Sequence, residues 1–269
     1  MSHDHNHDHG SHGCSSCSGC GSHGHEAKTT LPPHPLSKIT TVIGITGGKG
    51  GTGKSLVTSI LAAELAKAGQ RVAIFDADIF SPTIPEMFEL PQGVTKGEEG
   101  LYPALTERGI KVMSIGPLLE DSTDAITLHS AIMGQILQRL WSNVIWDEID
   151  CLLIDLPPGT TDVSVTAFES LPLDGVLIVS TPQAVVNQAV ARTVRLALEN
   201  QVPILGLIEN FSGLFSGDAA EQLAARFDIP LMDRLAFDPV LADAADEGKL
   251  EALGSSYLPK AVALIEGLQ

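Results

Sequence analysis

The chain has 269 residues and a formal net charge of −17; hydrophobic residues make up 43% of it and aromatic residues only 4%. This length suffices for one sizeable α/β domain with a core of Ile, Val, Leu and Ala. The acidic balance argues against a nucleic-acid surface, because phosphate backbones need clustered Lys and Arg. No apolar run reaches the roughly 18 residues that span a bilayer, and the N-terminus lacks the apolar region of a secretory signal. We therefore expect a cytoplasmic protein with no membrane and no nucleic-acid partner.

The first thirty residues are of low complexity and rich in His, Ser and Gly. They contain seven of the nine His and three of the four Cys. Such a segment cannot bury enough apolar surface to offset the entropy of ordering it. We predict that residues 1–37 form a disordered, metal-binding tail ending in a stiff hinge at Pro32, Pro33 and Pro35. Residues 38–269 are then the folded domain.

Apolar strands and helical segments alternate from residue 38 onward. In chain order we first predict a strand at 39–45, a helix at 55–68, a strand at 71–75, a hairpin of 101–106 and 110–115, and a helix at 127–141. There follow strands at 151–155, 175–180 and 204–208, with helices at 183–199, 218–227, 239–247 and 257–268. Fully apolar strands are typical of parallel sheets. The alternation predicts an α/β fold, with a mostly parallel sheet covered by helices on both faces.

A glycine-rich segment lies between the first predicted strand and the first predicted helix. It fits the pattern G-x-x-x-x-G-K-[ST] in the strand–loop–helix context that this pattern requires. Its glycines let the backbone wrap around phosphate, and the helix N-terminus favours an anion. Lys54 is predicted to bind the β- and γ-phosphates and Ser55 to ligate Mg²⁺. The segment therefore predicts an MgATP site formed by Gly48, Lys49, Gly50, Gly51, Thr52, Gly53, Lys54 and Ser55.

A second lysine, Lys49, lies inside this loop, where it is surplus to holding phosphate. A cation at this position can point away from its own nucleotide and reach across a two-fold interface. It would then stabilise charge in the partner's active site, as an arginine finger does. The alternative is a solvated loop lysine.

The loop GGKGGTGKS at 47–55 resembles the deviant Walker A motif of the MinD/ParA/nitrogenase-iron-protein superfamily. Four further segments are similar to one branch, the Mrp (ApbC-like) family, and occur in that family's order. They are FDADIFSPTIPEMF at 75–88 (first switch), IDLPPGTTDVSVT at 154–166 (Walker B and second switch), LIENFSG at 207–213 (adenine side) and PLMDRLAFDP at 230–239 (strand and loop near the base). The resemblance covers about residues 38–269 and implies a P-loop NTPase that hydrolyses ATP as a homodimer.

The resemblance also implies roles for single residues. Lys49 would cross the dimer, and Lys54 and Ser55 would serve the phosphates and Mg²⁺. Asp78 would position the attacking water, as suits an acid just past a strand at the crevice where open sheets bind ligands. Asp155 would hold Mg²⁺ through water. Asn210 would bond adenine, with a turn-forming Asn as the alternative, whereas for Asp76 we expect a structural hydrogen-bonding role.

The sequence departs from the family pattern just after Asn210. Many members carry a C-x-x-C pair there, and in the dimer the four thiolates bridge a [4Fe–4S] cluster. Here the segment at 211–223 reads FSGLFSGDAAEQL, without cysteine, so bridging at that place is ruled out.

The cysteines lie at the other end of the chain instead. Cys14-x-x-Cys17-x-x-Cys20 has the spacing of the first three ligands of a ferredoxin-type [4Fe–4S] run. The fourth ligand could be His23, His12, a second chain or an external thiolate. The remaining cysteine, at 151, lies in an apolar strand and is expected to be a core residue.

Three functions remain open at this point. The leading hypothesis is an ATPase that assembles iron–sulfur clusters and delivers them to apo-proteins. The run of alternating His at residues 3–9 suits Ni²⁺ or Zn²⁺, so a nickel or zinc metallochaperone ATPase is the alternative, and the tail could also bind metals adventitiously. A MinD- or ParA-type positioning ATPase is disfavoured, because the C-terminus lacks a basic amphipathic helix and the chain lacks a basic face.

Overall fold

The computed structural model describes residues 30–78, 82–90, 95–114 and 130–269. The strands of the described residues form one large sheet and one small two-stranded ribbon. They are β1 (Lys38–Gly47), β2 (Val72–Asp76), β3 (Thr95–Lys96), β4 (Leu101–Tyr102), β5 (Ala104–Leu105), β6 (Lys111–Ser114), β7 (Glu148–Asp155), β8 (Gly175–Ser180), β9 (Ile204–Ser212) and β10 (Leu231–Ala236).

The helices follow the strands and pack on the sheet. They are α1 (Lys54–Lys67), α2 (Ile84–Met87), α3 (Ser130–Asn143), α4 (Asp162–Ser170), α5 (Asn187–Glu199), α6 (Ala219–Phe227), α7 (Pro239–Asp246) and α8 (Pro259–Glu266). Short 3-10 turns lie at Ala184–Val186 and Leu250–Ala252. Among the described residues, none of these helices is both long and apolar enough to cross a bilayer.

The large sheet has the strand order β10-β9-β8-β1-β7-β2-β6-β5. All neighbouring strands in it are parallel except β5, which pairs antiparallel with β6. Strand β1 lies near the centre, between β7 and β8. The predicted α/β fold with a mostly parallel sheet is therefore confirmed, and the carboxyl ends of seven parallel strands meet along one edge.

Apolar side chains alternate between the two faces of the sheet, which explains the unbroken apolar strands. In β1, Val42 belongs to the core beneath α3, α4 and α5, whereas Ile43 and Ile45 belong to the core beneath α1 and α8. A third cluster joins α5 and α6 over β8 and β9. Both faces of the sheet are covered, so the carboxyl edge of the strands is left for a ligand.

The predicted hairpin is correct in its turn but wrong in its first strand. Gly109 adopts φ of 84° in the turn, and β5 pairs with β6 as expected. The predicted strand at 101–106 breaks at Pro103, since proline has no N–H to continue the ladder. Residues Leu101–Tyr102 turn away instead and pair with β3 in a separate two-stranded ribbon.

Residues 30–37, whose prolines were expected to form a stiff hinge, lie against the domain; we call this segment the N-terminal strap. Leu31 N donates to Ser170 O at 2.7 Å, and the Trp141 indole donates to Leu31 O at 2.9 Å. Ser37 Oγ accepts a 2.9 Å hydrogen bond from the backbone N–H of Trp146, which follows α3 in the chain. Groups near the prolines thus have hydrogen-bond partners on the domain, and the hinge itself stays a prediction. The tail at residues 1–29 and the predicted helix start at 127–129 lie outside the described residues.

Candidate nucleotide-binding site

The glycine-rich segment forms the connection from β1 to α1 at the carboxyl edge of the sheet. Strand β1 ends at Gly47 and α1 begins at Lys54. Gly51 and Gly53 adopt φ of 77° and 82°, a left-handed conformation that other residues rarely take. These turns carry the chain around an open centre and into the first turn of α1. The loop has the form of a phosphate-binding loop at a helix N-terminus.

Two close contacts, one with α5 and one with the segment after β7, explain the glycines at positions 48 and 159. A Cβ on Gly48 would lie 2.5 Å from the backbone nitrogen of Val190, at the start of α5. Gly159, just after β7, donates its N–H to Gly47 O at 2.8 Å and itself has φ of 76°. The segment that follows β7 is thus hydrogen-bonded directly to the start of the phosphate loop, and the two segments lie side by side.

A cleft of about 430 Å³ opens over the loop. Lys54 lies in it and is only 5% exposed, although its ammonium is the natural partner of a phosphate. The cleft is lined by Gly50, Gly51, Gly53, Lys54, Ser55, Leu56, Asp78, Thr83, Met87, Pro157, Pro158 and Thr161. Five of the eight residues of the predicted phosphate loop therefore face one cavity, together with the predicted acid Asp78.

Ser55 and Asp155 meet at the floor of this cleft. Asp155 Oδ2 accepts a 2.5 Å hydrogen bond from Ser55 Oγ, and its Oδ1 accepts a 3.1 Å bond from Thr58 Oγ1. Burial raises the pKa of Asp155 from 3.8 to about 6, against the opposing effects of Lys54 and the two hydroxyls. A carboxylate and a hydroxyl at a phosphate site are the oxygen donors that Mg²⁺ takes, so the pair fits that ion. Thr58 was not foreseen from the sequence.

Asp76 ends β2 opposite Asp155 on β7, and Asp78 lies two residues further along the chain. Asp78 is 9% exposed and lines the cleft, whereas Asp76 is fully buried behind it. Asp76 Oδ1 accepts from Asp78 N, and its Oδ2 accepts from Ser114 Oγ, both at 3.1 Å. Burial, followed by the nearby charge of Asp155, raises the pKa of Asp76 well above its usual range. Asp76 makes the structural hydrogen bonds expected of it, while Ser114 carried no sequence signal.

Asn210 is buried against the underside of the phosphate loop. Its Nδ2 donates to Thr52 O at 2.9 Å, and its Oδ1 accepts from Phe211 N at 2.9 Å. Both ends of the amide thus have protein partners, and the contact with adenine remains a prediction. The residue is brought to the loop by β9, two strands away from β1.

Lys49 differs from Lys54 in its surroundings. It is exposed at the tip of the loop, next to the exposed Gly50 and Gly51. Within the described part of the chain it forms no ion pair. Its side chain is therefore available to a group outside this subunit.

The comparison with known proteins bears on this site directly. Residues 38–265 match the family described as "ParA: NUBPL iron-transfer P-loop NTPase". The chain belongs to this family. The resemblance to the MinD/ParA superfamily and its Mrp branch, inferred from motifs, is thereby confirmed.

Relatives of this NUBPL-type NTPase carry names that refer to iron–sulfur clusters. An "Iron-sulfur cluster carrier protein" of Methanocaldococcus jannaschii is 40% identical over 211 residues, covering 73% of this chain and 72% of that protein. One of Rickettsia felis, with the same name, is 37% identical over 195 residues, 72% of this chain and 61% of the relative. The chain thus spans about three-fifths of the length of that relative. A "Cytosolic Fe-S cluster assembly factor NUBP2 homolog" of Trichoplax adhaerens is 36% identical, with 80% and 87% covered.

Solved structures place the NTPase in the same fold. A nucleotide-binding protein of Archaeoglobus fulgidus in complex with ADP has a TM-score of 0.71 and 36% identity, covering 81% of this chain and 90% of that one. The septum site-determining protein MinD of Pyrococcus horikoshii, with Mg-ADP, has a TM-score of 0.64 at 21% identity, covering 86% and 96%. The second likeness speaks for the P-loop NTPase fold alone.

The predicted ligands of the iron–sulfur cluster lie outside the described residues. They are Cys14, Cys17, Cys20 and His23. Within the part of the chain that the structure describes, no group of three or more His, Cys, Asp or Glu side chains is arranged to hold a metal ion. Cys151 is fully buried in β7, and burial raises the pKa of its thiol to about 12, so it is a core residue with an unreactive thiol.

Proposed function

We propose that this protein is an MgATP-hydrolysing carrier of iron–sulfur clusters that works as a homodimer and delivers clusters to apo-proteins. The observation that carries the proposal is the pairing of Ser55 with Asp155 beneath a phosphate loop that already encloses Lys54. The names of the relatives support the cargo, and the name of the Trichoplax relative supports action in the cytosol.

The described residues supply the parts of a phosphoryl-transfer site. Lys54 would neutralise the oxygens of the β- and γ-phosphates, and the backbone of the loop would donate N–H groups to them. Ser55 and Asp155 would hold Mg²⁺, whose contribution there is to offset charge on the phosphate oxygens. Asp78, at the wall of the cleft, would orient the water that attacks the γ-phosphorus as the bond to ADP breaks.

The dimer is proposed from Lys49. Its side chain is exposed at the loop tip, whereas Lys54, which would bind the phosphates, is buried. In a two-fold dimer joined through the carboxyl edges of the sheets, each Lys49 would reach the nucleotide of the partner. ATP would close the dimer, and hydrolysis would open it.

The cargo is assigned to the tail. Cys14, Cys17 and Cys20 would bind a [4Fe–4S] cluster, with His23 or an external thiolate as the fourth ligand. This assignment rests on ligand spacing and on the names of the relatives. The alternative is Ni²⁺ or Zn²⁺ bound by the His of the tail, and a titration with Ni²⁺ distinguishes it from the cluster.

The nucleotide half of the proposal is tested by titrating the protein with ATP in the presence and absence of Mg²⁺. We expect Mg²⁺-dependent binding and slow release of phosphate, both lost in Lys54→Ala. Lys67→Ala is the matched control, because Lys67 lies at the other end of α1 and bonds only to Gly254 O among the described residues. An unchanged affinity in Lys54→Ala would refute the site.

The cargo half is tested by anaerobic reconstitution with iron and sulfide. We expect a brown protein whose iron–sulfur absorbance disappears when Cys14, Cys17 and Cys20 are replaced by Ser. A colourless reconstituted protein contradicts the carrier role. Submicromolar Ni²⁺ binding that survives the Cys substitutions, but not removal of the His, would establish the metallochaperone alternative instead.

A further inference from the structure

Ser114 ends β6 beside the cleft, and none of the motifs includes it. Its hydroxyl donates a 3.1 Å hydrogen bond to Asp76 Oδ2. The other oxygen of that carboxylate, Oδ1, accepts a 3.1 Å bond from the backbone N–H of Asp78. All three residues are buried, and only Asp78 reaches the cleft. A continuous chain of hydrogen bonds therefore runs from β6 to the acid that lines the nucleotide site.

The strand order explains why this chain exists. Strand β2 lies between β6 and β7, with Asp76 opposite Ser114 on one side and opposite Asp155 on the other. A carboxylate at a strand end rotates about χ2 unless both of its oxygens are held. Ser114 holds one oxygen of Asp76, so the other stays directed at the Asp78 amide. The peptide that carries Asp78 is thus fixed two residues beyond the end of β2.

We propose that Ser114 is a positioning residue for ATP hydrolysis, acting through Asp76 to hold Asp78 at the wall of the cleft. The proposal rests on the ATPase function proposed above. The groups that would bind the phosphates belong to the β1–α1 loop, whereas the side-chain hydrogen bond of Ser114 among the described residues goes to Asp76. Loss of the hydroxyl should therefore disturb the orientation of the attacking water while leaving nucleotide affinity intact.

The experiment compares steady-state ATP hydrolysis by the full chain and by Ser114→Ala. We expect kcat to fall by about 10-fold and KM to stay within about 2-fold, the split that marks an interaction used only in the transition state. Ser114→Thr keeps the hydroxyl and should recover most of the rate. Ser170→Ala is the matched control, because Ser170 is also a buried serine whose hydroxyl donates one hydrogen bond, to Thr166 O, but it lies at the far end of α4. It should hydrolyse ATP at the wild-type rate.

A double-mutant cycle with Asp76→Asn tests the pathway itself. If Ser114 acts through Asp76, the double variant is no slower than Asp76→Asn alone, whereas independent effects would multiply. Wild-type kcat in Ser114→Ala, or multiplied losses in the double variant, overturns the proposal. A loss of nucleotide affinity equal to the loss of rate also overturns it, since that indicates a structural role. If the wild-type chain binds MgATP but hydrolyses none, the failure is that of the proposed function.

Discussion

The Nδ2 atom of Asn210 donates a 2.9 Å hydrogen bond to the carbonyl of Thr52, joining the end of β9 to the phosphate loop across 158 positions of sequence. The same amide blocks the space above Gly53, where an added Cβ would lie 2.1 Å from Nδ2. The side chain of Asn210 therefore both tethers the phosphate loop and limits the size of the residue that can occupy position 53. This contact gives two predictions that can be tested separately.

Asn210→Ala should loosen the loop without removing any phosphate ligand. The Thr52 carbonyl loses its side-chain donor, so we expect the Kd for MgATP to rise about 10-fold and the free energy of unfolding to fall by about 1 kcal/mol. Asn200→Ala is the control, because Asn200 makes a similar 3.0 Å bond to Leu196 O at the end of α5. Isothermal titration should show weaker binding only for Asn210→Ala; equal affinities in the two variants would contradict the tether.

Gly53→Ala should abolish nucleotide binding for two reasons. The φ of 82° is strained for alanine, and its methyl group would collide with Asn210. Gly69→Ala isolates the first effect, since Gly69 has φ of 94° with open space around the Cβ position. We expect Gly69→Ala to lose about 1–2 kcal/mol of stability and to bind ATP normally. The double variant Gly53→Ala/Asn210→Gly should regain part of the affinity; no recovery would mean that the collision is unimportant.

Asp155→Asn should stabilise the nucleotide-free protein while abolishing Mg²⁺-dependent binding. The pKa of Asp155 is raised to about 6 on folding, so its contribution to stability is full below pH 3.8 and is lost as the pH rises through about 6. At pH 7.5 the variant should exceed the wild type by about 2 kcal/mol in the free energy of unfolding. Urea titrations at several pH values should show the difference in the free energy of unfolding shrinking as the pH falls from 6.5 towards 4.5. A difference that stays constant contradicts the raised pKa of Asp155.

Mixing two inactive variants tests whether Lys49 acts on the partner's nucleotide. Consider a heterodimer of one Lys49→Ala subunit and one Asp78→Ala subunit. The site of the Lys49→Ala subunit keeps its own Asp78 and receives Lys49 from the other subunit. An equal mixture should therefore hydrolyse ATP at about a quarter of the wild-type rate, since half of the dimers are mixed and each has one working site. Phosphate release measured over a range of mixing ratios gives the answer. If Lys49 serves its own subunit, the mixture stays as inactive as its components.

Two truncations test the strap. Removal of residues 1–29 should leave the free energy of unfolding unchanged, because the domain keeps its contacts with Leu31 and Ser37. Removal of residues 1–37 should lower it by about 2–3 kcal/mol, since Trp141 and Trp146 then lose hydrogen-bond partners near the core. Chemical denaturation of the two proteins decides the matter. Equal stabilities would mean that the contacts of the strap do not stabilise the domain.

Local patterns predicted the sheet and the phosphate loop because both depend on residues that are close together in the sequence. Apolar runs mark buried strands, and a Gly-Lys-Ser sequence after a strand requires only its own neighbours to form a phosphate site. The roles of Asp78 and Asp155 were instead implied by the resemblance of their segments to the Mrp family; Asp155 ends β7, and Asp78 lies two residues past the end of β2.

The contacts that sequence reasoning missed join strands that are distant in the chain. Ser114 meets Asp76 only because β6 pairs with β2, and Asn210 meets Thr52 only because β9 lies two strands from β1. Periodicity fixes which residues are buried but does not fix strand order. The strap was missed because its prolines indicated stiffness, while its hydrogen bonds involve partners more than a hundred positions away.

Strand β1 begins where the strap ends and finishes at the phosphate loop, so the strap and the pocket for the nucleotide lie at opposite edges of the sheet. The ten residues of β1 span roughly 33 Å. The strap and the phosphate loop are thus separated by the full height of the sheet. A change at the phosphate loop could therefore act on the strap only through the sheet itself or through a movement of the whole domain.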